Sequence, residues 1–183
     1  MDYPFQFNLD KGLETVLYII QNGTQPTFHH ISKVIYFADK IHLEKYGRFI
    51  CGDRYVAMKH GPVPGGVYDL LKIARGDRFI FSLPSELIEK TKRAFNVQGR
   101  YGVNRVRDAH IEYFSDSDTE CLNIAIQKYG NLSFRQLTDV SHDQAWEISD
   151  ENDFMEIEHI VATFRDENEL LEHLRDQFPG SVV

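Results

Sequence analysis

The chain has 183 residues, of which 42% are hydrophobic and 13% aromatic, and its formal net charge is −8 at pH 7. That length suits one domain around one core, and the apolar content excludes global disorder. No run of about 18 apolar residues occurs and no basic start leads into an apolar stretch, so neither a membrane span nor a signal peptide is expected, and the reading is soluble and cytoplasmic.

In chain order the pattern predicts mostly helices. Asp10 is placed to cap a first helix with Leu13, Val16, Leu17 and Ile20 on one face, stopped by Asn22-Gly23. A second follows Pro26-Thr27, carries Phe28, Ile31, Val34, Ile35, Ala38 and Ile41 as a core stripe, and ends at Gly47. From Arg48 to Lys59, β-favouring Phe49, Ile50, Tyr55 and Val56 flank Gly52-Asp53, which predicts an extended or hairpin-like connector broken by His60-Gly61-Pro62. A third helix starts near Pro64 and stops at Gly76. A short helical segment is expected around Leu87, Ile88 and Thr91, and an irregular stretch or short antiparallel pair between Phe95 and Ile111. Ser115 or Ser117 caps the next helix, with Asp118 or Glu120 as capping-box partner, and Gly130 ends it; Ser133 caps another. Phe154 to Phe164 predicts a helix, and Leu170, Leu171 and Leu174 a final turn or two. The fold class is mostly α (α+β), a compact single-domain helical bundle over residues 1–183 with a small extended or hairpin element and an acidic helical segment from about residue 150.

Charge is unevenly placed. Met1 to His142 holds 18 Lys/Arg against 16 Asp/Glu, whereas Asp143 to Val183 holds Arg165 and Arg175 against 12 acids. Phosphate contacts need concentrated Lys or Arg, so no direct nucleic-acid binding is expected. The acidic end reads either as solvated helix faces or as a surface steering toward a basic partner, and its apolar positions either close the chain's own core or dock in a partner's groove. Cys51 and Cys121 stand in no paired spacing, which argues against a disulfide framework or a zinc module, and neither metal nor cofactor is expected.

The candidate sites are few. Gly61-Pro62-Val63-Pro64 fixes a backbone shape that serves either as a rigid start to the third helix, packed by Tyr68, or as a partner-contacting surface. It lacks the pattern of a phosphate cradle. His60 and His142 are the pair an enzyme would use as acid and base, but no serine, cysteine or carboxylate is spaced to work with them, so they read as structural hydrogen-bonders. His29 and His30 are adjacent and point to different sides of a helix, which makes shared metal ligation awkward. Ser133 to Trp146 has the outline of a helix-turn-helix, yet its second segment is acidic and unsuited to reading bases. Trp146, the only tryptophan, reads as a core anchor.

Several blocks carry a resemblance when taken in order. They are Tyr36-Phe37-Ala38, Gly47-Arg48, Ala57-Met58-Lys59-His60-Gly61-Pro62-Val63 and Val67-Tyr68-Asp69-Leu70-Leu71, then Phe114 to Asp118, Tyr129 to Asp139, and Ser141 to Trp146. From about Asp10 to Leu174 the chain resembles the Panacea domain family, which includes bacterial antitoxins and SocA-like, phage-associated proteins. The resemblance implies an antitoxin, not an enzyme, that neutralises a cognate toxin by direct protein-protein binding. Its SocA-like branch implies an alternative, an adaptor delivering a bound toxin to a Clp-type protease; an uncharacterised enzyme using His60 or His142 is a weaker one. No part of the chain reads as a separate DNA-binding domain, so operator binding is not expected. Tyr36, His60, Gly61, Pro62, Val63 and Trp146 are the candidate partner-binding or motif residues, on the scaffold and its edge.

Overall fold

A computed structural model describes residues 3–24 and 26–177. Among them the first helix, α1 (Leu9–Asn22), is capped by Asn8 and not by Asp10: the Asn8 backbone is extended and its side chain accepts from the Lys11 amide at 3.0 Å. Asp10 already lies in the first turn and pairs with Lys90 instead. Helix α2 (Phe28–Tyr46) begins at Thr27, whose hydroxyl accepts from the His30 amide, and ends at Gly47 in the left-handed region with φ 70°. The predicted apolar stripe is buried, but so are Ser32, Lys33, Asp39 and His42. Neighbours on nearly every side make α2 the central rod, packed most heavily on α5 (Asp116–Tyr129).

The extended element exists: its first strand falls inside the stretch expected from Arg48 to Lys59, and its second lies beyond it. Its strands are β1 (Tyr55–Met58) and β2 (Gly61–Pro64), antiparallel with Val56 opposite Val63 and Met58 opposite Gly61, so the turn is Lys59-His60. Gly61-Pro62 therefore does not break the strand. Proline at alternating positions 62 and 64 leaves the amides of Gly61 and Val63 for the ladder, the arrangement an edge strand tolerates. Gly52-Asp53, which resembles a turn, serves α3 (Gly65–Arg75): the Asp53 carboxylate accepts from the Gly66 and Val67 amides at 2.9 and 2.8 Å. The free edge of β1 is covered by the acidic end of the chain, where Ala57 N–H donates to Asp153 O and Met155 N–H to Tyr55 O.

A fourth helix, α4 (Ser85–Ala94), runs into a second hairpin of β3 (Phe95–Gln98) and β4 (Gly102–Arg105). This is the antiparallel pair among the alternatives open for that stretch. It is tied to the start of α2 through Phe28 N–H to Tyr101 O and Val103 N–H to Pro26 O. Capping boxes start α5 at Ser115 with Asp118 and α6 (Phe134–Ser141) at Ser133 with Gln136. Asp143 caps the short α7 (Gln144–Glu147). The helix expected over Phe154–Phe164 is only α8 (Ile157–Val161), because Phe154 and Met155 are committed to the edge of β1. The last helix, α9 (Glu167–Gln177), is longer than the expected turn or two. Met155, Ile157, Ile160, Val161 and Leu174 are all buried in the core, so the apolar side of the acidic end closes the chain's own interior.

Candidate functional site

The residues singled out in the sequence converge where α2, the first hairpin and the α6–α7 corner meet. Tyr36 is fully buried, and its hydroxyl donates to both oxygens of Asp143 at 3.0 and 2.8 Å. Lys40 reaches the same carboxylate at 2.6 Å, which also accepts from the Trp146 amide. Trp146 donates its indole N–H to the Met58 carbonyl at 2.9 Å and stacks on His142, with ring centroids 3.6 Å apart and planes 5° from parallel. Tyr36 and Trp146 thus hold the α6–α7 corner to α2 and to the hairpin. Gly61, Pro62 and Val63 are buried within that joint. Of the six candidates only His60, at the hairpin turn, is exposed, and it packs edge-on to the half-exposed Phe134 ring.

Gly61 has no substitute here. Its φ is 93°, and an added Cβ would collide with Ser141 Oγ and lie 3.0 Å from Lys33 Cε. Ser141 and the Lys33 side chain both close on this position. Lys33 is 1% exposed, donates to the Pro62 carbonyl at 2.7 Å, and has no carboxylate partner among the described residues. Burial disfavours its ammonium form and lowers its pKa to about 7.

Lys33 lines a cavity of about 570 Å³ whose walls include Phe28, Tyr68, Tyr101, Phe134 and Met58, with Lys59 and His60 at the hairpin turn. His29, also in the wall, bonds Thr138 Oγ1 through Nε2 and is stacked on Phe134. Burial, and then the nearby Lys33 charge, bring its pKa down to about 3. The same two causes lower that of His142, whose Nε2 is enclosed without a partner. The cavity lining therefore gathers bases and no carboxylate, the Asp143 carboxylate of the corner being taken up by Tyr36, Lys40 and the Trp146 amide.

Two further networks stabilise the scaffold. Asp39, fully buried on α2, accepts from the Ile50 amide at 2.7 Å and the Tyr55 hydroxyl at 2.6 Å; desolvation outweighs both bonds and pushes its pKa up to about 7. Asp118 receives Lys11 at 2.6 Å, Arg48 at 3.0 Å and His42 at 3.2 Å. Burial would raise its pKa, but the His42 and Lys11 hydrogen bonds prevail and hold it far below the usual carboxylate range. Lys33, Asp39 and Asp118 were not among the candidates, since polar residues on a helix ordinarily face water.

In chemical terms the cavity offers partly open aromatic surface lined by basic side chains. Among the described residues neither imidazole of His60 and His142 hydrogen-bonds a carboxylate, serine or cysteine. Among the described residues no group of three His, Cys, Asp or Glu is placed to hold a metal ion, and no helix is long and apolar enough to cross a membrane.

No curated protein and no solved structure matches the chain. The family described as antitoxin SocA-like, Panacea domain, matches residues 31–147, from the first turn of α2 to the end of α7. This span is shorter than the resemblance from Asp10 to Leu174, yet it contains the Tyr36–Asp143, Asp39–Tyr55 and Trp146–Met58 contacts. By that match the chain belongs to the SocA-like antitoxin family with a Panacea domain.

Proposed function

We propose that the protein is an antitoxin that neutralises a cognate toxin by direct protein-protein binding in the cytoplasm, without an enzymatic step. The observation that carries this reading is the family match across residues 31–147. A fold alone does not name a partner, so the placement of the matched residues matters. Tyr36, Asp39, Gly61, Pro62 and Val63 are interior and serve to fix the joint, leaving exposed positions to recognise the toxin. Within the candidate set His60 is that position, with Lys59 and Phe134 beside it; the other residues act by holding the hairpin turn in place.

The test is a growth assay in which the product of the adjacent reading frame is expressed alone and then with this protein, followed by copurification. Toxicity relieved with recovery of a stable complex is expected. A neighbouring product that is harmless alone would remove the basis of the proposal. Relief accompanied by disappearance of the toxin would instead favour the adaptor that hands its cargo to a Clp-type protease.

A further inference from the structure

The cavity beside Lys33 combines three properties. Its volume of about 570 Å³ is in the range of small-molecule sites. Its walls are largely aromatic, with Tyr101 and Phe134 half-exposed at 45% and 50%. Its lining contains Lys33, Lys59, His29 and His60 but no Asp or Glu, in a protein whose net charge is −8. A buried ammonium without a counter-ion is costly, and an entering anion would supply the missing charge. Of the ammonium's three donors one is used on the Pro62 carbonyl, and the following residue, Val63, itself lines the cavity.

We propose that this cavity binds an aromatic carboxylate, its ring lying among Phe28, Tyr68, Tyr101 and Phe134 and its carboxylate paired with Lys33. The aromatic walls select a flat apolar body. A single buried amine matches a monoanion, whereas a phosphate group calls for an arginine fork or a nest of backbone amides, and the lining contains no arginine. The cavity shares Lys59, His60 and Phe134 with the surface proposed to meet the toxin, but ligand binding is measured without the toxin, so its failure and that of the antitoxin reading are distinguishable.

Binding would be linked to proton uptake. The titratable groups about Lys33 are His29 on its own helix, Lys59 and His60 on the hairpin turn, His142 after α6, and the Tyr68 and Tyr101 phenols of the cavity wall, with Asp139 of α6 and Glu147 of α7 acting on His142. An anion favours the ammonium form of Lys33, whose pKa in the unliganded protein is about 7. Affinity should therefore fall as pH rises above that value, by about tenfold between pH 6 and pH 8.

The probe is 2-naphthoate, compared by titration calorimetry with its neutral isostere 2-naphthamide on the full chain. The acid is expected to bind about tenfold or more tightly than the amide at pH 6, to weaken about tenfold by pH 8, and to lose its advantage in Lys33→Met. Tyr101→Ala, at the half-exposed rim, should weaken both compounds. His60→Gln should keep the pH dependence, which separates Lys33 from the imidazole, and the pH series on the unmodified protein stands even if Lys33→Met fails to fold. Absence of binding, equal affinity for acid and amide, or an unchanged preference in a folded Lys33→Met protein would overturn the proposal.

Discussion

The Tyr36 hydroxyl and the Asp143 carboxylate, 107 positions apart, share a hydrogen bond of 2.8 Å that fastens the α6–α7 corner to the central helix. Lys40 meets the same carboxylate at 2.6 Å, and Asp143 also caps α7, so one acid joins two helices and positions Trp146.

Tyr36→Phe keeps the buried ring and removes only the donor. Because the acceptor is a carboxylate, the loss is expected to be about 1.5–3 kcal/mol in denaturant unfolding. A change of a few tenths would show that Lys40 alone secures Asp143.

Lys33→Met tests the cost of the buried amine. The folded protein holds its pKa at about 7 against a reference of 10.5, so between those values the unfolded chain binds more protons and stability rises with pH. The penalty is largest below pH 7. The methionine variant should be more stable than the parent at pH 6, and its advantage should shrink by about 2–3 kcal/mol by pH 9. Parallel stability profiles would show that Lys33 finds a counter-charge in solution.

Asp39 has the opposite sign. Its folded pKa is raised from 3.8 to about 7, so the folded state binds more protons across that window and stability falls as pH rises through it. Asn preserves the shape and an acceptor for Ile50. From pH 4 to pH 8 the stability difference should move about 4 kcal/mol in favour of Asp39→Asn. A pH-independent difference would place the Asp39 charge in a better-solvated site than its full burial implies.

Much of the helical framework is legible in the sequence because its signals are local. Thr27, Ser115 with Asp118, and Ser133 with Gln136 all act within three residues of themselves. The turn of the first hairpin lies elsewhere for a non-local reason: Asp53 looks like a turn residue beside Gly52, yet it caps a helix 13 and 14 residues onward. Pro62 and Pro64 disguise a strand, and Phe154 belongs to a strand edge because of β1, almost a hundred residues earlier. The candidate corner was legible as residues but not as an arrangement. Lys33 sits on a helix whose surroundings are invisible from its own neighbours in sequence, and its acceptor is 29 positions away.

Gly61→Ala separates backbone strain from close approach. Gly76 has a similar φ of 86° with open space around its Cβ position, so Gly76→Ala reports strain alone, about 1 kcal/mol. At Gly61 the new methyl also meets Ser141 and Lys33, and a loss of about 2–4 kcal/mol is expected by thermal or denaturant unfolding. Equal losses at the two sites would mean that the Ser141 and Lys33 side chains yield freely.

The most direct test of the antitoxin account is to purify the adjacent gene product and this protein separately, mix them, and measure complex formation together with the toxin's activity. A stable complex in which the activity is lost is expected, with binding weakened by substitution of His60 and Lys59 at the hairpin turn. A toxin that stays active and free in the presence of excess folded protein would contradict it.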